Sequence, residues 1–438
     1  MHKQSKKTGL VWFRNDLRLY DQQSLFRASE NHDRVIALYC FDPRHYAQTS
    51  YGFKKTERFR AQFLIESVQI LQKNLKARLN ISLLIFHEKP ELQIPKLVQD
   101  YDVKAIYSQK EWTAEEFAVY KKLKSALPTV NFQSYFDQFL YHPNDIPYTF
   151  KEIPAVYTQF RKKLEKTSVV RKCFTLPRKK ENANLLSTTS KIPSLQDLGL
   201  EDFKKDPRSA FPFQGGEDAA RQRIDHYFCE SKKLSQYKKT RNGLLGTDYS
   251  SKLSAWLANG SISARQIYWE VKKYEEKIEK NQSTYWLIFE LIWRDYFKYI
   301  SLKHGNAIFK LQGIKNHNLK WKNNKEVFEI WKNGQTNQDF VNANMKEIAA
   351  TGFMSNRGRQ NVNSFWAKEL LQDWRVGAAY LESMLIDYDV HSNWGNWMYN
   401  SGVGNDPRDR KFNNKSQAER YDASGKYRQT WLQDSLFS

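Results

Sequence analysis

Cysteine is scarce in this chain, with three residues among 438, at positions 40, 173 and 229. They lie far apart and form no C-x-x-C pair, which argues against a disulfide framework and against a zinc site. None of the nine histidines lies at metal-ligand spacing from another, and no H-E-x-x-H, Ser-His-Asp or paired glycosidase pattern emerges. We therefore expect neither metal-dependent nor hydrolytic chemistry, and a bound cofactor would have to carry any difficult step.

Long hydrophobic runs are also missing. The longest strongly apolar stretch, residues 286–293, contains Glu290 and is far shorter than the roughly 20 residues that cross a bilayer. At the N terminus a basic segment passes directly into the run TGLVWF and then meets Arg14 and Asp16, which leaves no signal-peptide core. With the scarcity of cysteine, these absences predict a protein of the reducing cytoplasm that has no membrane partner.

Glycine-rich nucleotide motifs are absent as well. No G-x-G-x-x-G follows the first β-rich run, and no G-x-x-x-x-G-K-[ST] occurs anywhere in the chain. Neither the dinucleotide fingerprint nor the P-loop is therefore present, and any ligand of the N-terminal region must bind in another way.

Basic and aromatic residues are abundant. Lys and Arg number 70 against 48 Asp and Glu, which leaves a formal charge of +22, and the aromatic fraction is 15%. Such a charge favours a polyanionic partner, and nucleic acid is preferred over an anionic membrane because no basic amphipathic helix with a clear apolar face is evident. The aromatic rings serve cores first, but they also stack on planar ligands and on bases.

The first third of the chain alternates short β-rich runs with amphipathic segments. The runs are TGLVWF, VIALYC, ISLLIFH, KAIYSQ and NFQSYF, at residues 8–13, 35–40, 81–87, 104–109 and 131–136. Apolar residues recur at helical spacing between them, which predicts βαβ units and a parallel sheet. Such a sheet offers a ligand crevice at its strand ends. We assign residues 1–136 to this α/β domain.

The character of the chain changes after this region. Residues 137–209 are predicted to be an interdomain linker, either wrapped against both domains or containing short helices. Residues 210–438 are predicted to form an all-α domain. Its helical runs cover residues 218–228, 252–258, 263–278, 283–300, 325–334 and 366–374. Ser261 and Ser263 are candidate N-caps, and Gly334 is a candidate C-terminal stop.

A first polar cluster, YKKTRNGLLGTDYSSKLS at residues 237–254, has the composition of a phosphate cradle. Gly243 and Gly246 permit tight turns, and Arg241 and Lys252 add positive charge. Its serines precede the helical run SAWLANG, and the N-terminus of a helix favours anions. An ordinary Ser-rich cap beside a turn explains the same spacing equally well.

A second cluster lies inside an apolar helical run and contains Glu290, Trp293, Arg294 and Asp295. If Glu290 is buried without a cation, its pKa is raised and it becomes a hydrogen-bond donor or a proton-holding group. The alternative is a Glu290–Arg294 pair at four-residue spacing on an exposed face, which the apolar neighbours disfavour.

A third cluster extends over residues 352–408, where carboxylates, amides and aromatics lie close together. If the segment is helical, Asp389, Asn393 and Trp397 share one face. Arg359 is a candidate partner for Asp387, because buried charges need such partners. A satisfied core helix is the alternative explanation.

Together these segments resemble the photolyase and cryptochrome family, and more narrowly its cryptochrome DASH branch. The similar segments are VWFRNDLRLYD, YCFDPR, FQGGE, YKKTRNGLLGTDYSSKLS, STYWLIFELIWRDYF, NANMKEIAATGFMSNRGRQNV and the 352–408 segment. They span nearly the whole chain. The resemblance implies an α/β antenna domain of Rossmann-like topology, a long linker, and an all-α domain that binds FAD.

The resemblance also implies the residues that surround the flavin. Those around its phosphate and ribityl portion are Tyr237, Arg241, Ser250, Ser251, Lys252, Leu253 and Ser254, with Arg294 nearby. Arg359 and Asp387 would form an ion pair near the isoalloxazine, Asp389 would contact it, and Asn393 would face N5, where plant cryptochromes have an aspartate. The family's tryptophan chain, which carries electrons from the surface to the excited flavin, matches Trp397, Trp374 and Trp321.

By the same resemblance, the reduced flavin absorbs blue light and passes an electron to a cyclobutane pyrimidine dimer that is flipped into the pocket. Glu290 and Asn356 would bond the dimer bases, and Trp293 would be an aromatic wall. Gln360 and Tyr399 stand where many conventional photolyases have methionine and tryptophan. A smaller stacking surface offsets less of the free energy needed to flip a dimer out of a duplex. We therefore expect the protein to prefer dimers in single-stranded DNA.

The antenna of the family suggests 5,10-methenyltetrahydrofolate near Cys40 and Glu111, although a buried thiol and a helix-start carboxylate are ordinary alternatives. We predict a monomeric lyase of the photolyase type that acts on DNA, with RNA as a further candidate partner. The rival prediction is a blue-light photoreceptor that binds nucleic acid or a protein without repair. The short tail before Ser438 disfavours signalling through a C-terminal extension. A light-independent nucleic-acid-binding protein would leave the flavin motifs without a purpose.

Overall fold

The computed structural model describes residues 7–188 and 190–433, and its N-terminal part is a parallel sheet flanked by helices. The elements in chain order are β1 Thr8–Phe13, α1 Gln23–Asn31, β2 Arg34–Cys40, α2 Arg58–Asn74, β3 Leu83–Phe86, α3 Pro90–Asp100, β4 Val103–Gln109, α4 Ala114–Ala126 and β5 Asn131–Tyr135. The strand order is β3-β2-β1-β4-β5, and every pair is parallel. This is the predicted Rossmann-like topology. The chain adds strands to one side of β1 and then, with β4, to the other side, so the topological switch point lies between β1 and β4.

Both faces of the sheet are covered, as the apolar runs imply. In β1, Leu10 and Trp12 pack on one face with residues of α3 and α4, whereas Val11 and Phe13 pack on the other face with residues of α1 and α2. Consecutive side chains of a strand point to opposite faces, so a strand that is buried on both sides is continuously apolar.

The predicted linker region contains one regular helix, α5 at Tyr157–Thr167, and it contacts both halves of the molecule. The α5 residues Phe160 and Leu164 are buried in the core of the helical part. Further along, Asn184 bonds backbone atoms of Val35 and Asn80 in the α/β part. Both of the alternatives stated for this region therefore occur together.

A buried ion cluster joins the two halves, and we call it the interdomain ion cluster. It consists of Arg18 and Asp21 from the segment after β1, Asp137 after β5, and Arg265 in the helical part. Arg265 lies 2.8 Å from Asp21 and also pairs with Asp137, while Arg18 lies 3.3 Å from Asp137. All four side chains are at most 2% exposed. The motif VWFRNDLRLYD therefore supplies an interdomain contact.

The second half is helical, as predicted. Its helices are α6 Glu217–Ile224, α7 Tyr237–Thr240, α8 Ser254–Ala258, α9 Ala264–Lys277, α10 Gln282–His304, α11 Lys325–Lys332, α12 Asp339–Thr351, α13 Asn356–Ser364, α14 Trp374–Met384, α15 Val390–Ser401, α16 Asn414–Tyr421 and α17 Lys426–Leu432. Short 3₁₀ turns lie at Pro43–His45, Phe150–Glu152, Asn182–Asn184, Lys233–Gln236 and Gly305–Phe309, and π turns at Leu75–Leu79, Asp225–Glu230 and Phe365–Glu369. No helix in the parts that the structure describes is long and apolar enough to span a membrane.

Two of the predicted helix boundaries are confirmed and one predicted helix is wrong. Ser263 caps α9 and forms a reciprocal capping box with Gln266. Gly334, with φ of +63°, follows the end of α11. The run 366–374 is not one helix, because the chain leaves the helical conformation after the π turn and Leu371 has a φ of +55°. A new helix, α14, then starts at Trp374.

Candidate cofactor and substrate site

A cavity of about 440 Å³ lies between α13, α14 and α15. Six residues named from the sequence line it, and they are Asn356, Arg359, Gln360, Asp387, Asp389 and Asn393. Further amides, from Asn363, Asn396 and Asn400, complete a polar wall. Such a wall suits a planar ligand with many hydrogen-bonding atoms rather than an apolar one.

Helix caps position the charged groups of this cavity. Ser355 caps α13 by accepting a bond from the Gly358 amide, and this places Arg359 on the first turn. Arg359 donates to both carboxylate oxygens of Asp387, at 2.8 and 2.9 Å. The predicted Arg359–Asp387 ion pair is therefore present, and the Asp387 side chain is only 4% exposed.

Asp389 is the N-cap of α15 and accepts a bond from the Ser392 amide at 2.8 Å. Its other oxygen lies 2.9 Å from the ammonium of Lys298, which is 1% exposed. Burial alone would raise the pKa of Asp389, but the charges of Lys298 and Arg294 hold it well below its ordinary value. Asp389 therefore presents a fixed negative charge beside the cavity.

Lys298 also extends the polar contacts toward the α/β half. It donates to the Gln138 side chain at 2.8 Å, and the amide of Gln138 donates to Glu111 at 3.3 Å. Four side chains thus connect the loop after β4 to the N-terminus of α15.

Helix α15 is held close to its two neighbours by glycines. A Cβ atom on Gly395 would overlap the ring of Phe297 on α10, and one on Gly377 of α14 would overlap the indole of Trp397. The amide of Asn393 donates to the Ala378 carbonyl at 3.0 Å. This bond fixes the orientation of the amide on the cavity wall.

The predicted cradle at residues 237–254 is organised by Arg223, which is 3% exposed. Its guanidinium donates to the carbonyl groups of Thr247, Ser250 and Ser251 and pairs with Asp248. The helix that follows, α8, has only five residues, so its dipole contributes little and side chains must supply most of the positive field.

Lys252 is the candidate source of that field. It adopts a left-handed φ of +61° and its side chain is buried against the rings of Tyr249 and Phe353. Its Nζ atom has no hydrogen-bond partner among the described residues, and burial lowers its pKa well below the ordinary value. Charging this buried group without a partner is costly, so a bound anion such as a phosphate would favour its ammonium form.

The remaining cradle residues differ in exposure. Tyr237, Ser251 and Leu253 are buried, Arg241 and Ser250 are partly exposed, and Ser254 is exposed. Arg294 donates to the carbonyl groups of Gln138 and Leu257 at 2.7 and 3.0 Å.

The alternative Glu290–Arg294 pair is wrong. Glu290 pairs with Arg241 at 2.8 Å and accepts a bond from the Trp286 indole at 3.1 Å. Burial raises the pKa of Glu290, although Arg241 and Trp286 act in the opposite direction. Asp295 faces another way and accepts from the Leu140 and Tyr141 amides.

An aromatic wall stands beside Glu290. Trp293 is partly exposed and stacks on Tyr157 of α5, with ring centroids 3.6 Å apart and planes at 14°. Tyr399 meets Trp293 edge-on at 6.0 Å and follows Asn396, which lines the cavity. Trp293 and Tyr399 are thus brought together, and Tyr399 lies on the same helix as the cavity residues Asn393 and Asn396.

Three tryptophans form a series from the interior outward. Trp397 is fully buried against Gly377, one turn beyond Trp374 on α14. Trp374 is also fully buried and donates to the Leu311 carbonyl. Trp321 is partly exposed and packs against the same core; its neighbour Lys322 exchanges backbone bonds with Leu371 and Asp373, next to Trp374.

The two residues named for an antenna do not lie side by side. Cys40 ends β2 and packs in the core beneath α3 and α4, and burial raises the pKa of its thiol. Glu111 follows β4, and β1 lies between β2 and β4. Gln109 and Gln138 both donate to Glu111, and its carboxylate forms no ion pair among the residues that the structure describes.

Comparison with known proteins agrees with this geometry. A family model described as "DNA photolyase" matches residues 9–179, and one described as "FAD binding domain of DNA photolyase" matches residues 286–435. The chain is 48% identical over 431 residues to the cryptochrome DASH of Gloeobacter violaceus, covering 98% of this chain and 86% of that protein. The chain belongs to the cryptochrome DASH branch of the photolyase and cryptochrome family.

Solved structures of this family have the same fold. A cryptochrome from Synechocystis superposes with a TM-score of 0.93 at 45% identity and covers 98% of this chain and 89% of its own. A class III photolyase from Agrobacterium tumefaciens superposes with a TM-score of 0.81 at 25% identity, with 98% and 86% covered. The resemblance inferred from the motifs is confirmed, as is the presence of an FAD-binding domain.

Three residues of this site were not identified from the sequence, and they are Lys298, Arg223 and Tyr157. Lys298 had a usable signal, because it continues the four-residue spacing of Glu290 and Arg294 along α10. Arg223 and Tyr157 had none, since their partners lie in segments remote along the chain.

Proposed function

We propose that this protein repairs cyclobutane pyrimidine dimers, mainly in single-stranded DNA, with blue light and a reduced FAD. The observation that carries the proposal is that α15 lines the amide-rich cavity with Asn393 and also brings Tyr399 to the ring of Trp293. Trp293 lies one helical turn from Glu290 on α10. A redox cofactor and a pair of bases would lie next to each other in such a site. The family to which the chain belongs supports the same function.

We propose that the FAD phosphates bind near Lys252, whose buried side-chain nitrogen has no hydrogen-bond partner in the part of the chain that the structure describes. The cradle residues Tyr237, Arg241, Ser250, Ser251, Lys252, Leu253 and Ser254 would surround this portion, with Arg294 nearby. The cavity residues Arg359, Asp387, Asp389 and Asn393 would surround the ring system. When bound, FAD supplies the light-driven electron. The ionised Asp389 and the ion-paired Asp387 would orient the ring, and the neutral amide of Asn393 would face N5.

The substrate pocket would be formed by Glu290, Trp293, Asn356, Gln360 and Tyr399. Glu290, whose carboxylate pairs with Arg241, would accept a hydrogen bond from an N–H group of a dimer base. Trp293 would give one flat surface for a flipped dimer, and Tyr157 behind it keeps that surface rigid. Trp397, Trp374 and Trp321 would carry an electron from the surface to the flavin.

We further propose that the α/β domain, residues 1–136, holds 5,10-methenyltetrahydrofolate near Glu111, whose carboxylate could accept bonds from the N–H groups of the aminopteridine ring. Cys40 is the less suitable of the two antenna residues, because it is enclosed in the core. The linker is assigned to residues 137–209 and the catalytic domain to 210–438. We propose a cytoplasmic monomer, with RNA as a further partner through the charge of +22.

The test is anaerobic illumination of the reduced flavoprotein with matched single- and double-stranded oligonucleotides that carry one thymine dimer, with dimer loss measured directly. We expect faster loss in the single strand. The variant Glu290→Gln should lower that rate about tenfold or more, because it removes the charge-assisted bonding of a partly buried group worth roughly 1.5–3 kcal/mol. The exposed Glu270→Gln is the matched control.

Equal rates on the two substrates would refute the preference for single strands. No dimer loss in either substrate would favour the photoreceptor, in which light alters binding to nucleic acid or to a protein without repair.

A further inference from the structure

A strip of aromatic side chains continues along α10 beyond the substrate pocket. We call Tyr285, Trp286 and Phe289 the aromatic strip. The rings of Trp286 and Phe289 stack with centroids 4.6 Å apart and planes at 26°. Phe289 meets Tyr157 edge-on at 5.3 Å, and Tyr157 stacks on Trp293. The strip is therefore continuous with the wall of the pocket.

The strip is open to solvent although its residues are large. Tyr285 is 36% exposed, and Trp286 and Phe289 are partly exposed. Residues at positions 286, 289, 290 and 293 lie on one face of a helix, so the strip and the pocket open on the same side of α10. Core packing alone does not require a row of rings that faces water in this way.

Cations border the strip on both sides. On the α7 side, the Lys238 ammonium lies 4.5 Å from the Trp286 ring centroid and the Arg241 guanidinium 5.7 Å from it. On the α5 side, the Arg161 guanidinium lies 5.4 Å from the Phe289 ring. Arg241 and Arg161 pair with Glu290 and Glu165, whereas Lys238 bonds the neutral side chain of Gln282.

We propose that the aromatic strip binds the nucleotides that flank the dimer in a single strand, and this proposal rests on the proposed function. An unpaired base would stack on Trp286 in place of the Lys238 ammonium that lies over its ring, and Lys238 would move to contact the phosphates of the strand. Stacking of this kind tolerates any base sequence, and its combination with a basic border is typical of single-strand binding. Bases inside a duplex are already stacked and paired, so they cannot use the strip.

The binding test uses undamaged DNA in the dark and needs no repair chemistry. Fluorescence anisotropy of a labelled oligothymidylate measures the affinity of the holoprotein and its variants. Trp286→Leu should weaken binding about fivefold or more, the loss of one base stack, and Trp286→Phe should restore most of it. Lys238→Gln should reduce the slope of log affinity against log salt by about 0.7, the value for one phosphate contact in a single strand.

The matched control is Trp269→Leu. Trp269 is also partly exposed, and the ammonium of Lys172 lies 4.1 Å from its ring, but it lies on α9 outside the strip. This variant should bind the oligothymidylate as the unchanged protein does. If Trp286→Leu binds oligothymidylate with unchanged affinity, or if Trp269→Leu loses as much affinity, the proposal that the aromatic strip binds single strands is refuted.

A second arm separates the strip from the pocket. A thymine dinucleotide dimer has no flanking bases, so the Lys238→Gln protein should repair this substrate at the unchanged rate. The same variant should repair a dimer within an oligonucleotide more slowly when the oligonucleotide is below saturation. If the unchanged protein repairs neither substrate but Trp286→Leu still weakens the binding of oligothymidylate, the proposed repair function is refuted and the role of the aromatic strip in binding single strands is supported. If repair proceeds but Lys238→Gln changes the repair rates of both substrates equally, the proposed role of the aromatic strip is refuted.

Discussion

Replacing Lys298 by methionine should destabilise this protein strongly, and the loss should depend on pH. The side chain of Lys298 is 1% exposed, that of Asp389 is 12% exposed, and the two lie 2.9 Å apart. Methionine has nearly the same length but carries no charge, so Asp389 would remain in its place without its closest cation. Breaking a buried pair from one side costs about 3–5 kcal/mol.

The loss should lie near the lower end, at about 3 kcal/mol, because Asp389 keeps its bond from the Ser392 amide and the charge of Arg294. Urea unfolding measures it. With a slope of about 3 kcal/mol per molar urea, the midpoint should fall by about 1 M. The double variant Lys298→Met with Asp389→Asn removes both charges, so it should recover most of the loss.

The pH dependence follows from the sign of the pKa shift. In the unchanged protein the folded pKa of Asp389 is depressed, so its stabilisation is present above the unfolded value of about 3.9 and is lost as the pH falls through the folded value. Without Lys298, the folded pKa of Asp389 would rise, because burial would be opposed by fewer charges. The deficit of Lys298→Met should then be largest near pH 7 and should shrink as the pH falls through the folded pKa of Asp389 in the variant.

The matched control is Lys273→Met, which breaks an exposed pair with Glu270 and should cost less than about 1 kcal/mol at any pH. If Lys298→Met costs no more than this control, or if its deficit grows as the pH falls, the assignment of a fixed charge to Asp389 is refuted.

Two further predictions concern the cradle and the packing of α15. Lys252→Met should leave the apoprotein at least as stable in urea, because it removes a buried amine that has no hydrogen-bond partner among the described residues. FAD affinity, measured by flavin titration, should fall about tenfold or more. A less stable apoprotein with unchanged affinity would contradict this. Gly377→Ala should cost about 1–3 kcal/mol in the same urea assay, because its methyl group would overlap the indole of Trp397; a loss within error would show that the two helices separate easily.

The fold could be predicted from the sequence to a large extent, because its strands are buried on both faces. Runs such as VIALYC and KAIYSQ leave little choice of structure, and each lies within one residue of the observed strand. The predicted helix at 366–374 failed for a local reason. Its apolar spacing is correct, but the chain turns at Leu371 to bring Trp374 to the start of α14, and no helix-breaking residue marks that turn.

The site could be predicted only where its partners lie close along the chain or belong to a motif. Arg359 and Asp387 are an example, since their pairing follows from the need of buried charges for partners. Glu290 shows the limit. Helical spacing suggested Arg294 as its partner, whereas Arg241 from a separate segment occupies that position. Local spacing says nothing about which remote loop packs against a helix.

The interdomain ion cluster has a consequence for engineering the molecule. Arg265 belongs to the helical half, but both of its carboxylate partners, Asp21 and Asp137, come from the other part of the chain. In a fragment that begins at residue 210, this guanidinium would lose both of its carboxylate partners. We therefore expect the fragment to require the preceding residues in order to fold. A chimera that exchanges the α/β half with that of a relative would need to retain the pair of aspartates, whatever ligand the new half binds.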